Sequence, residues 1–223
     1  MDINQVYQIV LYATAKNLAQ GYVSPNDFNL TINQAQRSYV AYLLGSFQQY
    51  TPGQPVARVE FGQNTVIRTR LAPIIYWTDL SLDGDGYCDY PEDYLQTDAM
   101  FTIYGYKRIR AVQQDSLYSY YNSAIDPIET NPIYILQDTG LHFFPEDLGE
   151  AKMSYVANPP EMLWGYTVDV NGIPIYDEPS SIQPVWDDAS MLDIIVRALA
   201  IIGVNLQLNV VEQYSMVVKN QGQ

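Results

Sequence analysis

A chain of 223 residues that is 48% apolar and 13% aromatic can bury one substantial core or two small ones, which excludes a disordered chain. Eleven basic residues against 25 acidic ones, a net charge of −14, point away from a protein that holds nucleic acid by neutralising phosphates. One cysteine, Cys88, excludes an internal disulfide and fits a reducing compartment. The opening segment INQVYQIVLYATAKNLAQ places Val6, Ile9, Val10 and Ala13 at helical spacing, with Gly21 as a stop. SPNDF then supplies a Ser-Pro helix start or a tight turn. LTINQAQRSYVAYLLGSF continues as a second helix, with Ile32, Ala35, Tyr39, Tyr42 and Leu43 along one side. A short connection makes the two an antiparallel pair.

From about residue 52 the period changes. TPGQPVARVEFGQ combines turn residues with alternation, VIRTR is strand-like, and LAPIIYW is a short apolar strand. FTIYGYKRIRAVQ alternates throughout and predicts one long strand, with Phe101, Ile103, Gly105, Lys107 and Ile109 facing one way. DSLYSYYNS is helical or extended. PIYILQDTGLHFF predicts a hairpin turning at Asp138–Gly140, and WGYTVDVNGIPIYD predicts a second around Asn171-Gly172. Asp187 or Asp188 caps the next helix, where Met191, Ile194, Ile195, Ala198, Leu199 and Ile202 form a broad apolar face. A last helix is expected over about 208–219. The expected fold class is α+β: a helical bundle formed by the N- and C-terminal helices, residues 1–50 and 187–223, with an inserted antiparallel β-rich block over 51–186. The longest apolar stretch, near 189–206, is broken by Asp193, Arg197, Gly203 and Asn205. Neither a membrane span nor a secretory signal is expected.

Candidate chemistry is sparse. The stretch SLDGDGYCDYPE puts Ser81, Asp83, Asp85, Asp89 and Glu92 at calcium-loop positions, with Gly86 at the sharp turn. Its flanks read as a strand and a proline-led segment rather than the two helices that frame an EF-hand. The stretch is therefore taken as an acidic β-turn at its two Asp-Gly pairs. Cys88 has no basic neighbour to activate it, His142 has no identifiable partners, and one His with one Cys excludes the usual zinc sites. Paired carboxylates could serve a hydrolase, but no spacing singles out a pair. Catalytic, cofactor-binding and metal-binding residues are all expected to be absent.

Charged residues make up only 16% of the chain, while tyrosine contributes 20 residues, a balance that favours extensive protein contacts. Lys107, Arg108 and Arg110, with Arg68 and Arg70, gather almost half of the positive charge. Two readings of that cluster stand: a contact with an acidic neighbouring subunit, or ordinary solvent-facing charge.

The layout as a whole resembles a known family. Its signs are NLTINQAQRSYVAYLLG, the central YPEDY, YGYKRIR, QDSLYSYYNSAIDPIETNPIYIL and WDDASMLDIIVRALAIIGVNLQL, in that order. Together they resemble the tail-ring, or head-to-tail connector, proteins of crAss-like short-tailed bacteriophages, and more distantly the adaptors of other short-tailed phages. The resemblance implies a non-enzymatic virion protein of the neck or tail, assembled in the host bacterial cytoplasm. It implies a homo-oligomeric ring of twelve copies, partnered by the portal and by other neck and tail rings. DNA would pass through its channel without specific binding, and no membrane is involved. A rival expectation is a carbohydrate- or calcium-binding β module of a host-attachment apparatus, with a concave aromatic face around Tyr87, Tyr90 and Tyr94.

Overall fold

The computed structural model describes residues 1–16, 23–45, 65–105, 107–121 and 126–203. The expected helix over 208–219, the alternation of TPGQPVARVEFGQ and the stop at Gly21 lie outside these residues. The helices are α1 (Ile3–Lys16), α2 (Pro25–Leu44), α3 (Thr65–Leu71), α4 (Leu117–Tyr121) and α5 (Asp188–Ile201). The strands are β1 (Ile75–Ser81), β2 (Tyr87–Asp89), β3 (Tyr94–Thr102), β4 (Arg110–Ala111), β5 (Ile133–Leu136), β6 (Gly140–Phe144), β7 (Glu150–Ala157), β8 (Tyr166–Val168) and β9 (Pro174–Tyr176). The fold is mixed α+β, with sheets that are mostly antiparallel. It divides into two compact units: one within Met1–Arg70 and Pro160–Gln223, the other Leu71–Pro159.

In the helical unit, α2 starts where Ser24 accepts a hydrogen bond from the Asp27 amide, with Pro25 in the first turn. Phe28, Ile32, Ala35, Tyr39 and Leu43 recur at helical spacing and are all buried. Tyr42, expected on that stripe, is exposed instead, with the Arg197 guanidinium 4.7 Å from its ring centre. Asp187 rather than Asp188 caps α5, accepting from the Ser190 amide; hydrogen bonding with the Ser190 side chain first and with its amide second, with Arg70 nearby, holds its carboxyl below the usual carboxylate range. The buried face of α5 is Met191, Ile194, Ile195, Ala198 and Leu199, and each large side chain taken out of water contributes roughly 1.5–3 kcal/mol. Between α2 and α5 the Tyr39 hydroxyl donates to Ser190 Oγ at 2.9 Å and accepts from Arg70, which also pairs with Asp193 at 2.7 Å.

A polar ladder binds the segment 160–164 to α2. Asn33 donates to the Met162 carbonyl and accepts from the Met162 amide, both at 2.8 Å. One turn earlier Asn29 does the same to Trp164, at 3.2 and 2.8 Å. Gln36, almost fully buried, donates to the Pro160 carbonyl and accepts from the Trp186 indole at 2.9 Å. Trp164 then packs on Tyr7, ring centres 4.2 Å apart, and on Tyr176 of the β8–β9 hairpin. That hairpin therefore lies with the helices, and the β-rich unit ends at Pro159 rather than at 186.

The β-rich unit holds two sheets, ordered β1-β7-β3 and β2-β6-β5-β4. Leu80, Met100, Met153 and Tyr155 from the first sheet meet Cys88, Tyr134, Leu141 and Phe143 from the second in one core. Two expectations fail here. VIRTR is helical, part of α3, although Thr65, Val66 and Ile67 are β-branched: local β preference yields to tertiary context, with Arg70 tied to Asp193 and Tyr39. FTIYGYKRIRAVQ is not one strand either. The chain reverses at 103–105, where Gly105 has φ 86°, and returns with the Thr102 amide on the Lys107 carbonyl and the Ile109 amide on the Met100 carbonyl. The Thr102 hydroxyl fixes this turn by donating to the Tyr104 carbonyl and accepting from the Lys107 amide. Ile109 thereby reaches the core while Lys107 stays exposed.

Candidate interaction surface

The residues that carry chemistry in the sequence are held in structural roles. The Asp83 carboxylate turns back on its own loop, accepting from the Asp85 amide at 3.0 Å and the Tyr87 amide at 2.8 Å. The Asp83 amide donates to the Tyr87 carbonyl, and the Gly86 amide to the Asp83 carbonyl. The loop at Asp169 repeats this arrangement bond for bond: its carboxylate accepts from the Asn171 and Ile173 amides at 2.8 and 2.7 Å. Those bonds, that from Ile173 foremost, hold the Asp169 carboxyl below its ordinary range. DGDGY and DVNGI are thus one five-residue loop used twice, with glycine fourth at φ 74° and 79°. The two loops differ in what surrounds that glycine. A Cβ on Gly172 meets nothing within 4 Å, whereas one on Gly86 lies 2.8 Å from the Phe143 carbonyl oxygen and 2.9 Å from Glu146 Cα. Gly172→Ala should cost about 1 kcal/mol for its backbone alone, and Gly86→Ala about 2 kcal/mol or more. Equal losses in chemical denaturation would refute that difference.

His142 lies on β6, its Nε2 2.9 Å from the Asp85 carbonyl oxygen and its ring 4.4 Å from that of Phe144. Cys88 is buried, and desolvation together with Asp89 pushes its thiol up to about 11, the reverse of what a nucleophile needs. Among the described residues no three of His, Cys, Asp and Glu converge as a ligand set. Tyr87, Tyr90 and Tyr94 do not form an open platform: Tyr90 and Tyr94 stack on each other at 4.3 Å. The three hydroxyls bond to Thr139, the Gln137 carbonyl and Thr97. Glu129 and Glu150 line a cavity of about 690 Å³ with Lys107, yet both are exposed, so the cavity does not enclose them.

What stands out is apolar and cationic surface. The β8–β9 hairpin is a two-stranded sheet whose Val168, Val170, Ile173 and Ile175 are all exposed, Val170 completely. On α5, Leu192 and Val196 are exposed one turn apart, and Ile201 is exposed at its end. In the β-rich unit Trp77, 57% exposed, stacks on Phe101 beside the Lys152–Asp79 ion pair. Of the five clustered cations, Arg70 is taken up by Asp193, whereas Lys107, Arg108 and Arg110 are exposed and form no ion pair among the described residues. Sequence reasoning missed the hairpin's exposed aliphatic residues, because alternation there reads as a half-buried strand.

No helix among the described residues is long and apolar enough to cross a membrane. No family model and no curated protein matches the sequence.

Proposed function

We propose that this chain is a structural, non-enzymatic subunit of a ring in the neck or tail of a short-tailed phage, joining the portal to the tail and lining the DNA channel. The observation that carries the reading is the distribution of exposed apolar side chains over separate elements: the β8–β9 hairpin, Leu192 and Val196 of α5, and the Trp77–Phe101 face. A subunit in a closed ring needs two different faces, one for each neighbour, whereas a two-fold dimer needs one. Such surface is stable in a soluble assembly once copies cover it. The helices α1, α2 and α5, which share one unit, would supply the ring's frame. The net charge of −14 suits a channel that DNA must traverse, since an acidic wall repels phosphates.

Analytical ultracentrifugation and electron microscopy of the purified protein, alone and with the portal, test the reading. A closed ring of twelve copies is expected, on its own or on the portal. A protein that stays monomeric in both cases, or whose ring has a channel lined by Lys and Arg, contradicts it.

A further inference from the structure

The β-rich unit is electrically lopsided. Residues 71–159 contain four basic side chains, Lys107, Arg108, Arg110 and Lys152, against 14 acidic ones, a net charge of −10. Lys152 is paired with Asp79 at 3.3 Å, so the three cations without an ion pair among the described residues all fall within 107–110. Strand order places them with respect to the acids. In the sheet β2-β6-β5-β4, Arg110 lies on β4 at one end of the order, while Arg108 and Lys107, just before it, pair with Phe101 and Thr102 of β3. At the other edge β2 and its flanks carry Asp83, Asp85, Asp89 and Glu92, all exposed, with no Lys or Arg between residues 71 and 106. Three strand spacings separate the edges by roughly 14 Å, beyond the screening length of ~10 Å at 0.1 M salt, so neither edge neutralises the other. Acids do occur beside the cations: Asp98 lines a groove of about 530 Å³ with Arg108 and Arg110, and Glu129 and Glu150 line the cavity at Lys107. None of these is within ion-pair distance of them, and Asp98 also accepts from Ser154.

We infer that the Lys107–Arg110 segment of one copy docks on the Asp85–Asp89 edge of the next, a head-to-tail contact between two different parts of the β-rich unit. Two different, complementary surfaces on one unit make a heterologous interface, the kind that propagates around a ring and not the kind that stops at a dimer. The assignment rests on the ring reading and names the contact inside it. A second copy fits these cations better than nucleic acid does, because the phosphate backbone would also meet the remaining net charge of the chain. The acids chosen for the test are Asp85 and Asp89, whose side chains make no hydrogen bond or ion pair among the described residues, unlike Asp83, whose carboxylate holds its loop.

The experiment is a charge swap followed by sedimentation velocity. Arg108→Glu with Arg110→Glu sets acids against Asp85 and Asp89, and Asp85→Lys with Asp89→Lys cancels the net negative charge of the β2 edge and sets two lysines against the arginines. Each double variant alone should lose the assembled species that the wild-type protein forms. Mixing the two in equal amounts should restore it, because in an alternating ring every contact is again complementary; that recovery also shows that both variants fold. High salt should weaken wild-type assembly. If the wild-type protein assembles and both variants assemble equally well alone, the edge contact is wrong and the ring reading stands. If variants that fail alone also fail when mixed, the contact is wrong. Retained assembly with loss of DNA binding in the arginine variant would assign the cations to nucleic acid instead. A wild-type protein that never assembles, with or without portal, overturns both readings.

Discussion

Asn33→Ala should lower the stability of the helical unit by about 2–4 kcal/mol, although it removes a small polar side chain that is neither charged nor catalytic. The reason is that one amide satisfies both backbone groups of Met162, and truncation leaves an N–H and a C=O, each part-buried, without partners. Orphaned buried groups cost about 1–3 kcal/mol each, more than the bond itself contributes. The geometry explains why asparagine at this spacing works. Four residues of helix rise about 6 Å, and two residues of extended chain advance about 6.6 Å, so Asn29 and Asn33 meet Trp164 and Met162 in register. Gln36, three residues on, spans the shorter step to Pro160 with its extra methylene. The neighbouring Arg37–Glu161 ion pair is the control: both side chains are about 70% exposed, and Arg37→Ala should cost about 0.5 kcal/mol or less. Denaturant unfolding followed by tryptophan fluorescence reads both, since Trp164 and Trp186 lie in this unit. A loss for Asn33→Ala no greater than that for Arg37→Ala would show that the ladder carries little stability.

That ladder also marks where reading the sequence stops. The apolar stripes of α2 and α5 are legible because one face repeats at helical spacing, and nearly every residue read from them is buried. Asn29, Asn33 and Gln36 sit at the same spacing, but polar residues on a helix read as a solvent face. Their partners lie more than 120 residues away, with no local signal. FTIYGYKRIR misleads in the opposite way. Alternation broken only by Lys107 hides a reversal, and the informative residue is Gly105, whose freedom at positive φ outweighs the pattern around it. SLDGDGYCDYPE is legible as a turn from its Asp-Gly pairs. That DVNGI closes with the same bonds follows only once both carboxylates are placed. The cations at 107–110 are visible as a cluster in any reading. Their position across the sheet from Asp85 and Asp89 depends on the non-local order β2-β6-β5-β4.

Gly140→Ala should cost about 3 kcal/mol or more and loosen the β2 edge on which the proposed contact depends. Gly140 faces Asp89 in the β2–β6 register, and Tyr87 lays its ring across it. A Cβ there would lie 2.2 Å from the Cys88 carbonyl oxygen, 2.6 Å from Tyr87 Oη and 2.7 Å from its Cζ. The ring can swing away, at the loss of its bond to Thr139, but the carbonyl is main chain and moves only if the strand does. A three-residue edge strand has few ladder bonds with which to resist, so the strain should appear as local opening of β2 before the unit as a whole unfolds. Cys88 reports that opening, because it is the one thiol in the chain and is buried on the strand in question. Its labelling by a disulfide reagent under native conditions should speed up by roughly 100-fold, the equivalent of about 3 kcal/mol, while global unfolding shifts less. Tyr87→Ala added to Gly140→Ala should recover only part of the loss, since it frees the ring clash and leaves the carbonyl clash in place. Unchanged labelling would mean that the sheet absorbs the methyl without moving β2. Faster labelling with assembly intact would separate the strand's stability from the contact, so the paired measurement connects packing at one glycine to the proposed contact between copies.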